Sequence, residues 1–569
     1  MLFTARLGWS QGATTAAMSG VITDKNGSGL PGATIIAIHT PTNTQYVAPT
    51  NADGRFNIQN MRVGGPYTVR VTFVGFKDIS REGVFLALGQ NLRFDQKLSD
   101  ATTELAEVTV SGRRDPVMNA GRTGASTTVQ REQIERLPSL SRSFADFTRL
   151  TPQAGSNQSF AGRSSNYNNV TIDGAIFNNS FGLSSTVGGQ SNAQPISLDA
   201  VQEIQVNLAP YDVRQGSFTG AGINAVTRSG TNDISASIYG FERNEKLVGS
   251  KVRDLNQDFP KFSLYQLGAR VGGPLIKDKL FYFVSVEGER RKDPPGTFVA
   301  NREGLPAPGI GSNTSRVNAS DLNALSGFLK SKYDYDAGAY EGYQLDQNSD
   351  KITAKLDWNI TPKNSFSIKY NYLKAYRDVS PSGSGTPTPV GGRSLSQNTV
   401  PFLSSYYRIH NDVQSLIGEL NSSISSSVSN QFQAGYTAQR DYRESKGGNP
   451  FPFVDIRNTD ATSNAGTELT TFGYELFTPG NLLDSDIYQI SDNLNYSTGK
   501  HLFTLGTYNE FYKFRNGFAP DLYGRYNFNS LDDFYKSAGY LYDPATQNIN
   551  PRNADGTPNT NLSAPGVPL

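Results

Sequence analysis

Apolar and polar side chains alternate along two neighbouring stretches of this chain. Residues 350–374 read DKITAKLDWNITPKNSFSIKYNYLK, and the alternation continues on both sides of a break at 361–364. The apolar positions are Ile352, Ala354, Leu356, Trp358 and Ile360, then Phe366, Ile368, Tyr370 and Tyr372; between them lie Lys351, Thr353, Lys355, Asp357, Asn359, Ser367, Lys369 and Asn371. Because successive side chains of a strand point to opposite faces, this period predicts an antiparallel hairpin with one apolar and one polar face.

The connections between such strands fall into two length classes. Short turns are predicted near 276–279, 361–364, 426–430 and 498–501, and long polar segments near 243–261, 291–349, 375–414 and 442–486. A tilted strand of about 11 residues covers about 26 Å, which matches the roughly 25 Å apolar band of a transmembrane barrel. A soluble sandwich also alternates, but it has no reason to sort its connections by length. We therefore favour part of an antiparallel transmembrane β-barrel over residues 231–569.

The composition excludes several classes of function. The chain has 569 residues, and its 52 lysines and arginines balance 51 aspartates and glutamates, so charge does not predict a nucleic-acid partner. It has no cysteine and three scattered histidines (His39, His410 and His501), so neither disulfides nor a metal site is expected. GWSQG at 8–12 spells a nucleophile motif but follows no predicted strand and has no obvious base. We expect no catalytic residues, no cofactor and no enzymatic activity.

Residues 18–98 form the first predicted unit. Short β-branched runs alternate with Gly, Asn, Asp and Pro turns, and NADGRF carries the Asp-Gly pair typical of a tight turn. This pattern predicts a small antiparallel β-sandwich. The segment resembles the carboxypeptidase-regulatory-like domain through Pro31, Gly32, Ala33, Asp53, Gly54 and Phe56. The resemblance implies a domain without catalytic residues, and its wider fold class, which includes starch-binding modules, leaves carbohydrate contact open.

Residues 116–230 predict a compact α+β domain. Short helical stretches break at Pro138 and Pro152, a strand leads to a turn at Asp173-Gly174, and two further strands flank a glycine-rich turn. This order resembles the plug domain of TonB-dependent outer-membrane receptors. The positions that correspond to that plug motif are Asp173, Gly174, Ile204, Val206, Gly216, Gly220, Gly222, Ile223, Asn224, Val226, Thr227, Arg228, Ser229 and Gly230. The resemblance implies a plug domain ahead of a barrel.

A short strand-like stretch lies in the linker at 99–115. Residues 105–115 read LAEVTVSGRRD, in which valine and threonine favour the extended backbone and Gly112 ends the run. In isolation the stretch reads as an ordinary linker. Between these two domains it resembles the TonB box, at Glu107, Val108, Thr109 and Val110. That resemblance implies a TonB-type periplasmic energy-transducing protein as partner, bound by strand addition.

The long loops and the chain ends complete the prediction. SDLNALSGFLK places Leu322, Leu325 and Leu329 at helical spacing behind Ser320 as N-cap, which predicts a packed loop helix. The loops are rich in Tyr, Asn, Gly and Ser and suit contact with an extracellular ligand; solvated loops without a ligand are the alternative. About ten barrel strands are expected against the 22 of the plugged family barrels, so the chain reads as the front half of a larger protein. Residues 1–17 read as a signal-peptide remnant or a tail.

The sequence therefore predicts a mainly β protein: a β-sandwich in the periplasm, an α+β plug domain, and part of an antiparallel transmembrane β-barrel in a Gram-negative outer membrane. The resemblance is to the Oar-like branch of the TonB-dependent receptors. It implies binding of an extracellular ligand (siderophore, glycan, peptide or protein) and its import with energy relayed from the inner membrane. The alternative is a surface adhesion or secretion-linked barrel that binds partners, carbohydrate among them, without active import. The expected partners are the TonB-type protein, outer-membrane lipid and the ligand.

Overall fold

A computed structural model describes residues 13–101, 125–139, 142–210, 212–253, 255–256, 259–309, 311–386, 392–458, 467–563, 565–566 and 568. Strands dominate this part of the chain, which confirms the predicted mainly β class. The TonB-box-like residues Glu107, Val108, Thr109 and Val110 lie outside the described residues.

Two four-stranded sheets form the first unit, the sandwich. Its strands are β1 (Ala16–Thr23), β2 (Thr34–His39), β3 (Thr44–Pro49), β4 (Arg55–Met61), β5 (Gly64–Thr72), β6 (Ile79–Leu86), β7 (Asn91–Arg93) and β8 (Gln96–Lys97). One sheet has the order β4-β1-β7, with β8 also pairing with β1, and the other has the order β3-β2-β5-β6. Alternate residues such as Ile35, Ala37, Val69 and Val71 lie in a core closed to solvent. The prediction of a purely antiparallel sandwich was wrong at one edge, because the returning chain places β7 and β8 parallel to β1.

The predicted Asp-Gly turn joins β3 to β4. Gly54 has φ +72°, and a Cβ at this position would lie 2.5 Å from the carbonyl oxygen of Ile22. The side-chain oxygen of Asn51 accepts the N–H groups of Asp53 and Arg55 at 3.0 and 2.9 Å. The turn therefore requires glycine at position 54, for both its conformation and its close packing.

A mixed five-stranded sheet forms the second unit, the plug unit (residues 125–230). Its elements are β9 (Ser126–Gln130), α1 (Arg131–Arg136), α2 (Phe144–Thr148), β10 (Asn169–Ile172), β11 (Ala175–Ile176), β12 (Val201–Asn207) and β13 (Gly222–Thr227). The order is β11-β10-β13-β12-β9, and only β10 and β13 run parallel. Every residue of β13 is buried. The core of this unit continues into the third unit through Leu373, Ala375, Val413 and Ile417.

The third unit contains the remaining strands and two helices. They are β14 (Ser235–Asn244), β15 (Lys251–Val252), β16 (Leu255–Asn256), β17 (Ser263–Ile276), β18 (Leu280–Asp293), β19 (Val299–Asn301), β20 (Thr314–Asn318), α3 (Ala319–Tyr333), β21 (Leu345–Thr361), β22 (Asn364–Val379), β23 (Tyr407–Ser423), β24 (Val428–Ser445), β25 (Phe453–Arg457), β26 (Glu468–Phe472), β27 (Leu482–Thr498), β28 (His501–Gly517), β29 (Arg525–Phe528), α4 (Leu531–Ser537), β30 (Tyr540–Asp543) and β31 (Asn548–Pro551). No helix in the described residues has both the length and the apolar character needed to cross a membrane.

Nine long strands pair side by side in one antiparallel sheet, the wall sheet. Its order is β14-β17-β18-β21-β22-β23-β24-β27-β28. At one end the strands join through short turns at 277–279, 362–363, 424–427 and 499–500; at the other end long segments run over 245–262, 294–344, 380–406 and 446–481. The predicted sorting of connections by length is therefore confirmed. The described sheet has nine strands, close to the predicted number of about ten, and β29 pairs with the loop strand β25 instead of with the wall.

The two faces of the wall sheet differ as the alternation predicted. On the outer face Leu356 and Trp358 are 40% and 42% exposed, whereas the inner-face residues Lys351 and Thr353 are 4% and 2% exposed. Trp358 lies opposite Phe366 across the β21–β22 hairpin, so the apolar face continues onto the next strand. The polar face is buried because it packs against the plug unit and the sandwich.

The predicted loop helix is present but begins earlier than expected. Leu322, Leu325 and Leu329 are closed to solvent on the inner side of α3. Ser320 as N-cap was wrong: the N-cap is Asn318, and Ser320 lies inside the helix. The earlier start buries Ala319, a good helix former, against the loop core.

Because the outer face is exposed and apolar, we predict that an arginine on it is costly in a depth-dependent way. Ile352 lies near the middle of β21 and Trp358 near its short-turn end. Ile352→Arg should lower the free energy of unfolding by about 2–4 kcal/mol, and Trp358→Arg by about 0–1 kcal/mol. Denaturant titration in lipid vesicles measures both values. Glu82→Arg, on the exposed sandwich surface, is the control, and equal costs at 352 and 358 would contradict this placement.

Candidate functional site

The predicted turn at Asp173-Gly174 links β10 to β11 at the edge of the plug sheet. Asp173 has φ +52° and Gly174 has φ +85°. Two consecutive residues in the left-handed region are typical of the tight turn that Asp-Gly pairs form between antiparallel strands. The sequence therefore located this turn correctly, and its geometry places the Asp173 side chain beside the end of β13.

Asp173 joins the plug strands to each other. One carboxylate oxygen accepts the Thr227 N–H at 3.0 Å, and the other accepts the Thr227 hydroxyl at 2.5 Å. Asp173 is only 1% exposed and Thr227 3%. Hydrogen bonds to a buried carboxylate are stronger than those between neutral groups, so this contact holds the β10–β11 turn against the end of β13.

Two lysines of the wall sheet reach the same turn. Lys355 Nζ lies 4.0 Å from a carboxylate oxygen of Asp173 and donates to the carbonyl of Thr227 at 3.3 Å. Lys369 Nζ donates to the carbonyl of Asp173 at 3.5 Å and pairs with Glu419 at 2.9 Å. The inner face of the wall thus holds the plug turn through charged side chains.

A third side chain of the wall fixes the neighbouring glycine. Gln489 Nε2, on β27, donates to the carbonyl of Gly174 at 2.6 Å. The contacts between turn and wall are therefore polar on both sides. Water can replace polar contacts of this kind, so the turn can leave the wall at lower cost than the apolar part of the interface at Leu373, Ala375, Val413 and Ile417.

The other motif residues lie elsewhere. Gly216, Gly220 and Gly222 surround the opposite end of β10: the Gly216 carbonyl accepts from Asn169 at 2.9 Å, and a Cβ on Gly220 would lie 2.4 Å from the Asn168 side-chain oxygen. Asn224, mid-strand, accepts the Thr171 hydroxyl at 2.7 Å.

Gly230 marks where the chain passes from the plug unit to the wall sheet. A Cβ on Gly230 would lie 2.3 Å from the Tyr282 carbonyl oxygen and 2.6 Å from that of Gly273. Only a residue without a side chain fits between these backbone atoms. The structure thus brings Asp173, Gly174 and Thr227 together and separates them from the glycine cluster and from Gly230.

One polar contact between the sandwich and the plug unit was missed in the sequence. Glu203 accepts the N–H of Leu88 at 2.6 Å, and Gln205 donates to the carbonyl of Leu88 at 2.5 Å. Both polar side chains point from the same face of β12, as the pattern VQEIQVN indicates. Burial raises the pKa of Glu203 to about 8, although the bond from Leu88 opposes this shift.

The long connections form a compact layer over the other end of the wall sheet, the loop cap (residues 299–309, 311–337, 392–405, 451–458, 467–476 and 525–551). Its core includes Leu322, Phe328, Phe472, Phe534 and Tyr535. Loops that have their own buried core are held in one conformation and are not flexible segments.

A buried ion pair fixes the loop cap. Arg393 and Asp455 are both closed to solvent, and two guanidinium nitrogens donate to the carboxylate at 2.7 and 2.8 Å. Arg525 adds a third donor at 3.0 Å. Burial, together with the nearby Asp455 carboxylate, raises the pKa of Glu468 to about 7. Segments far apart in sequence are thereby held in one arrangement.

The plug unit exposes apolar side chains, one of which contacts the wall near the long-segment end of β28. Phe181 and Leu183 are 45% and 53% exposed, and Phe181 contacts Phe514 edge-on at 5.1 Å between ring centroids. Phe514 lies near the long-segment end of β28. Among the described residues, no three His, Asp or Glu side chains are grouped so that they could hold a metal ion.

Comparison with known families defines the class to which this architecture belongs. Residues 226–555, more than half of the chain, match the family model described as "Outer membrane beta barrel domain". The chain belongs to that family, and the protein is therefore an outer-membrane protein. Residues 17–99 match the "Carboxypeptidase regulatory-like domain" model, close to the predicted sandwich at 18–98.

Individual relatives share part of the chain. The TonB-dependent transporter Oar of Myxococcus xanthus is 26% identical over 391 residues, which are 64% of this chain and 32% of Oar. The outer membrane transporter YddB of Escherichia coli is 14% identical, with a TM-score of 0.46 over 68% of this chain and 48% of YddB. The siderophore receptor PirA of Acinetobacter baumannii is 16% identical, with a TM-score of 0.41 over 69% and 48%. The chain thus spans about a third of Oar.

Removing the Asp173 carboxylate should loosen the plug unit inside the wall. Asp173→Ala leaves two buried Thr227 donors without an acceptor, and we expect a loss of about 1–3 kcal/mol. The measurement is the urea concentration at which protease first cleaves the plug unit while the wall stays folded. Asp212→Ala, which removes a partly exposed carboxylate paired with Arg214, is the matched control. Equal midpoints for the two variants would contradict the role of Asp173.

The contact at Leu88 should weaken as the pH rises. The docked pKa of Glu203, about 8, exceeds its ordinary 4.5, so docking favours the protonated carboxyl. Its stabilisation is complete below about pH 4.5 and is lost as the pH rises through about 8. Amide hydrogen exchange around Leu88, corrected for intrinsic rates, should accelerate over this range. Glu203→Gln should remove the dependence and Glu82→Gln should not; a dependence that survives in Glu203→Gln would assign it to another group.

Proposed function

We propose that this chain acts as a TonB-dependent outer-membrane transporter that binds an extracellular ligand and moves it past a displaceable plug. The observation that carries the proposal is the polar contact between the plug unit and the wall. Lys355, Lys369 and Gln489 hold the Asp173-Gly174 turn by hydrogen bonds and charge. These polar contacts can be replaced by water and form again, and they lie beside the apolar contact through Leu373, Ala375, Val413 and Ile417.

The ligand would enter from the side of the loop cap. Phe181 and Leu183 of the plug unit are exposed, and Phe181 contacts Phe514 near the long-segment end of β28. Aromatic side chains supply contact area at low cost in conformational entropy. The buried core of the loop cap holds the surrounding surface in place before the ligand arrives. This arrangement supports a ligand with an apolar or aromatic surface.

Energy would enter from the opposite side. The sandwich lies at the short-turn end of the wall, which in outer-membrane barrels faces the periplasm. Glu107, Val108, Thr109 and Val110 follow the sandwich in sequence and precede the plug unit. A TonB-type protein that adds this stretch as a strand could pull directly on the plug unit.

A surface adhesin is the second candidate function, and the loop cap is the observation that favours it. A preorganised surface fixed by the Arg393–Asp455 pair would suit binding without import. An adhesin has no use for a TonB box, so the linker distinguishes the two candidates.

We predict that Val108→Pro abolishes binding of a TonB-type protein. Proline removes a backbone N–H donor from the added strand, so the stretch can no longer pair fully. The measurement is the affinity of the purified periplasmic domain of the host's TonB-type protein for the full chain, where we expect at least about a tenfold loss.

Thr103→Pro is the matched control, because it places proline in the same linker outside the box. It should bind as the unchanged chain does. If the periplasmic domain does not bind the unchanged chain, or binds both variants equally, the TonB-dependent function is wrong and the adhesin is favoured.

A further inference from the structure

The sandwich contacts the short-turn end of the wall sheet at several separate points. The polar contacts are spread over the width of the sheet. The Pro41 carbonyl accepts the Asn232 N–H at 2.8 Å, the Thr44 hydroxyl accepts from the Asn359 side-chain amide at 2.9 Å, and the Asn430 carbonyl accepts from the Asn60 side-chain amide at 3.0 Å. The Thr14 hydroxyl accepts from the Gln431 side-chain amide at 3.0 Å, and the Gly499 carbonyl accepts from the Asn51 side-chain amide at 3.3 Å. These residues belong to the first, middle and last strands of the described sheet or to turns beside them. The sandwich therefore lies across this end of the wall and is not attached at one corner.

Arg62 makes the one ion pair between the described residues of the sandwich and the wall. Its guanidinium lies 3.6 Å from the carboxylate of Asp357 and donates to the side-chain oxygen of Asn359 at 3.4 Å. Both partners lie on β21 near its short-turn end. The side chains of Arg62 and Asp357 are 16% and 8% exposed, so the pair is removed from most of the solvent.

Two tyrosines of the sandwich hold the backbone of Arg62 in place. Its backbone N–H donates to the hydroxyl of Tyr46 at 3.2 Å, and its carbonyl accepts the hydroxyl of Tyr67 at 2.7 Å. Tyr67 is closed to solvent within the sandwich core. Two anchored hydroxyls thus hold this backbone in place, and the arginine is presented to the wall in a preorganised position.

The same sandwich also contacts the plug unit, through Leu88 with Glu203 and Gln205. Between sandwich, plug unit and wall lies a cavity of about 70 Å³. Its lining includes three cations and three anions: Arg62, Lys355, Lys369, Asp173, Asp357 and Glu419. An interface so rich in charge is easily hydrated, and such interfaces between domains of one chain separate readily.

We propose that the sandwich is a detachable cover of the short-turn mouth of the barrel, in series with the plug unit, and that Arg62 is the positioning residue for its docking. The proposal rests on the proposed transport function, because a cover matters only where something passes. When docked, the sandwich closes the exit below the plug turn. It must leave the wall before a ligand that has passed the plug can reach the periplasm.

Disulfide trapping tests the docking directly, because the chain contains no cysteine. The full chain carries Thr44→Cys with Asn359→Cys, two positions whose side chains meet across the interface, together with a protease site inserted into the linker at 99–115. In outer membranes treated with a mild oxidant, the cleaved sandwich fragment should stay attached to the barrel. Val74→Cys with Asn359→Cys is the matched control, because Val74 is 94% exposed and should not cross-link. No attachment through Thr44, or equal attachment through both pairs, would overturn the cover.

Charge reversal tests the role of Arg62. In the Thr44–Asn359 cysteine pair, Arg62→Glu should slow disulfide formation at least about tenfold, whereas Arg62→Lys should stay close to the unchanged rate. A protease-resistant sandwich fragment of unchanged size shows that the variant sandwich is folded. An unchanged rate in folded Arg62→Glu would overturn the role of Arg62.

The rate of disulfide formation in energised cells tests whether the sandwich detaches, and it does so separately from the test of the proposed function. The disulfide should form more slowly in energised cells than after a protonophore collapses the proton gradient, and Val108→Pro should remove that difference. If the periplasmic domain of the TonB-type protein binds at Val108 but the two rates are equal, the cover is fixed and detachment is wrong. If that domain does not bind, the transport function fails by itself, and with it the gating role of the cover.

Discussion

Every backbone N–H and C=O group that crosses a hydrocarbon layer needs a partner, and the organisation of this chain depends on that constraint. The strands β23 and β24 meet this requirement by pairing without a break. The pairing runs from Tyr407 opposite Ser445 at one end to Ser423 opposite Ser429 at the other. Irregular backbone is confined to the ends of the strands, where water is available. The short turns and the loop cap therefore lie at opposite ends of the wall, and each end can have its own function.

The same constraint determines what the inner face must do. Polar side chains of the wall turn inward, where pairs such as Lys351–Glu287 and Lys369–Glu419 are almost closed to solvent beside an apolar patch of Leu373, Ala375, Val413 and Ile417. Buried charges need partners, and the plug unit and the sandwich supply the rest of them, Asp173 and Arg62 among them. The plug and the proposed cover are thus held by the polar surface that a membrane wall leaves on its inside.

The sequence predicted features that depend on local pattern. The period of two assigned Lys351 and Trp358 to opposite faces, and the Asp-Gly pairs located two turns, because these signals need only neighbouring residues. It did not predict that Arg62 meets Asp357, or that Glu203 binds Leu88, because these partners belong to different units and meet only after each unit has folded. Loop hydrophobics such as Phe534 likewise gave no periodic signal, since their core joins four separate segments.

A nitroxide scan along β21 tests the account most directly. Single cysteines at positions 351–358 can each carry a spin label, since the natural chain has none. Labels at 352, 354, 356 and 358 should collide with oxygen dissolved in lipid, and labels at 351, 353, 355 and 357 should be protected from both oxygen and a water-soluble nickel complex. Loss of this alternation, or free access of the nickel complex to the odd positions, would contradict a membrane wall whose polar face is closed by the plug unit and the sandwich.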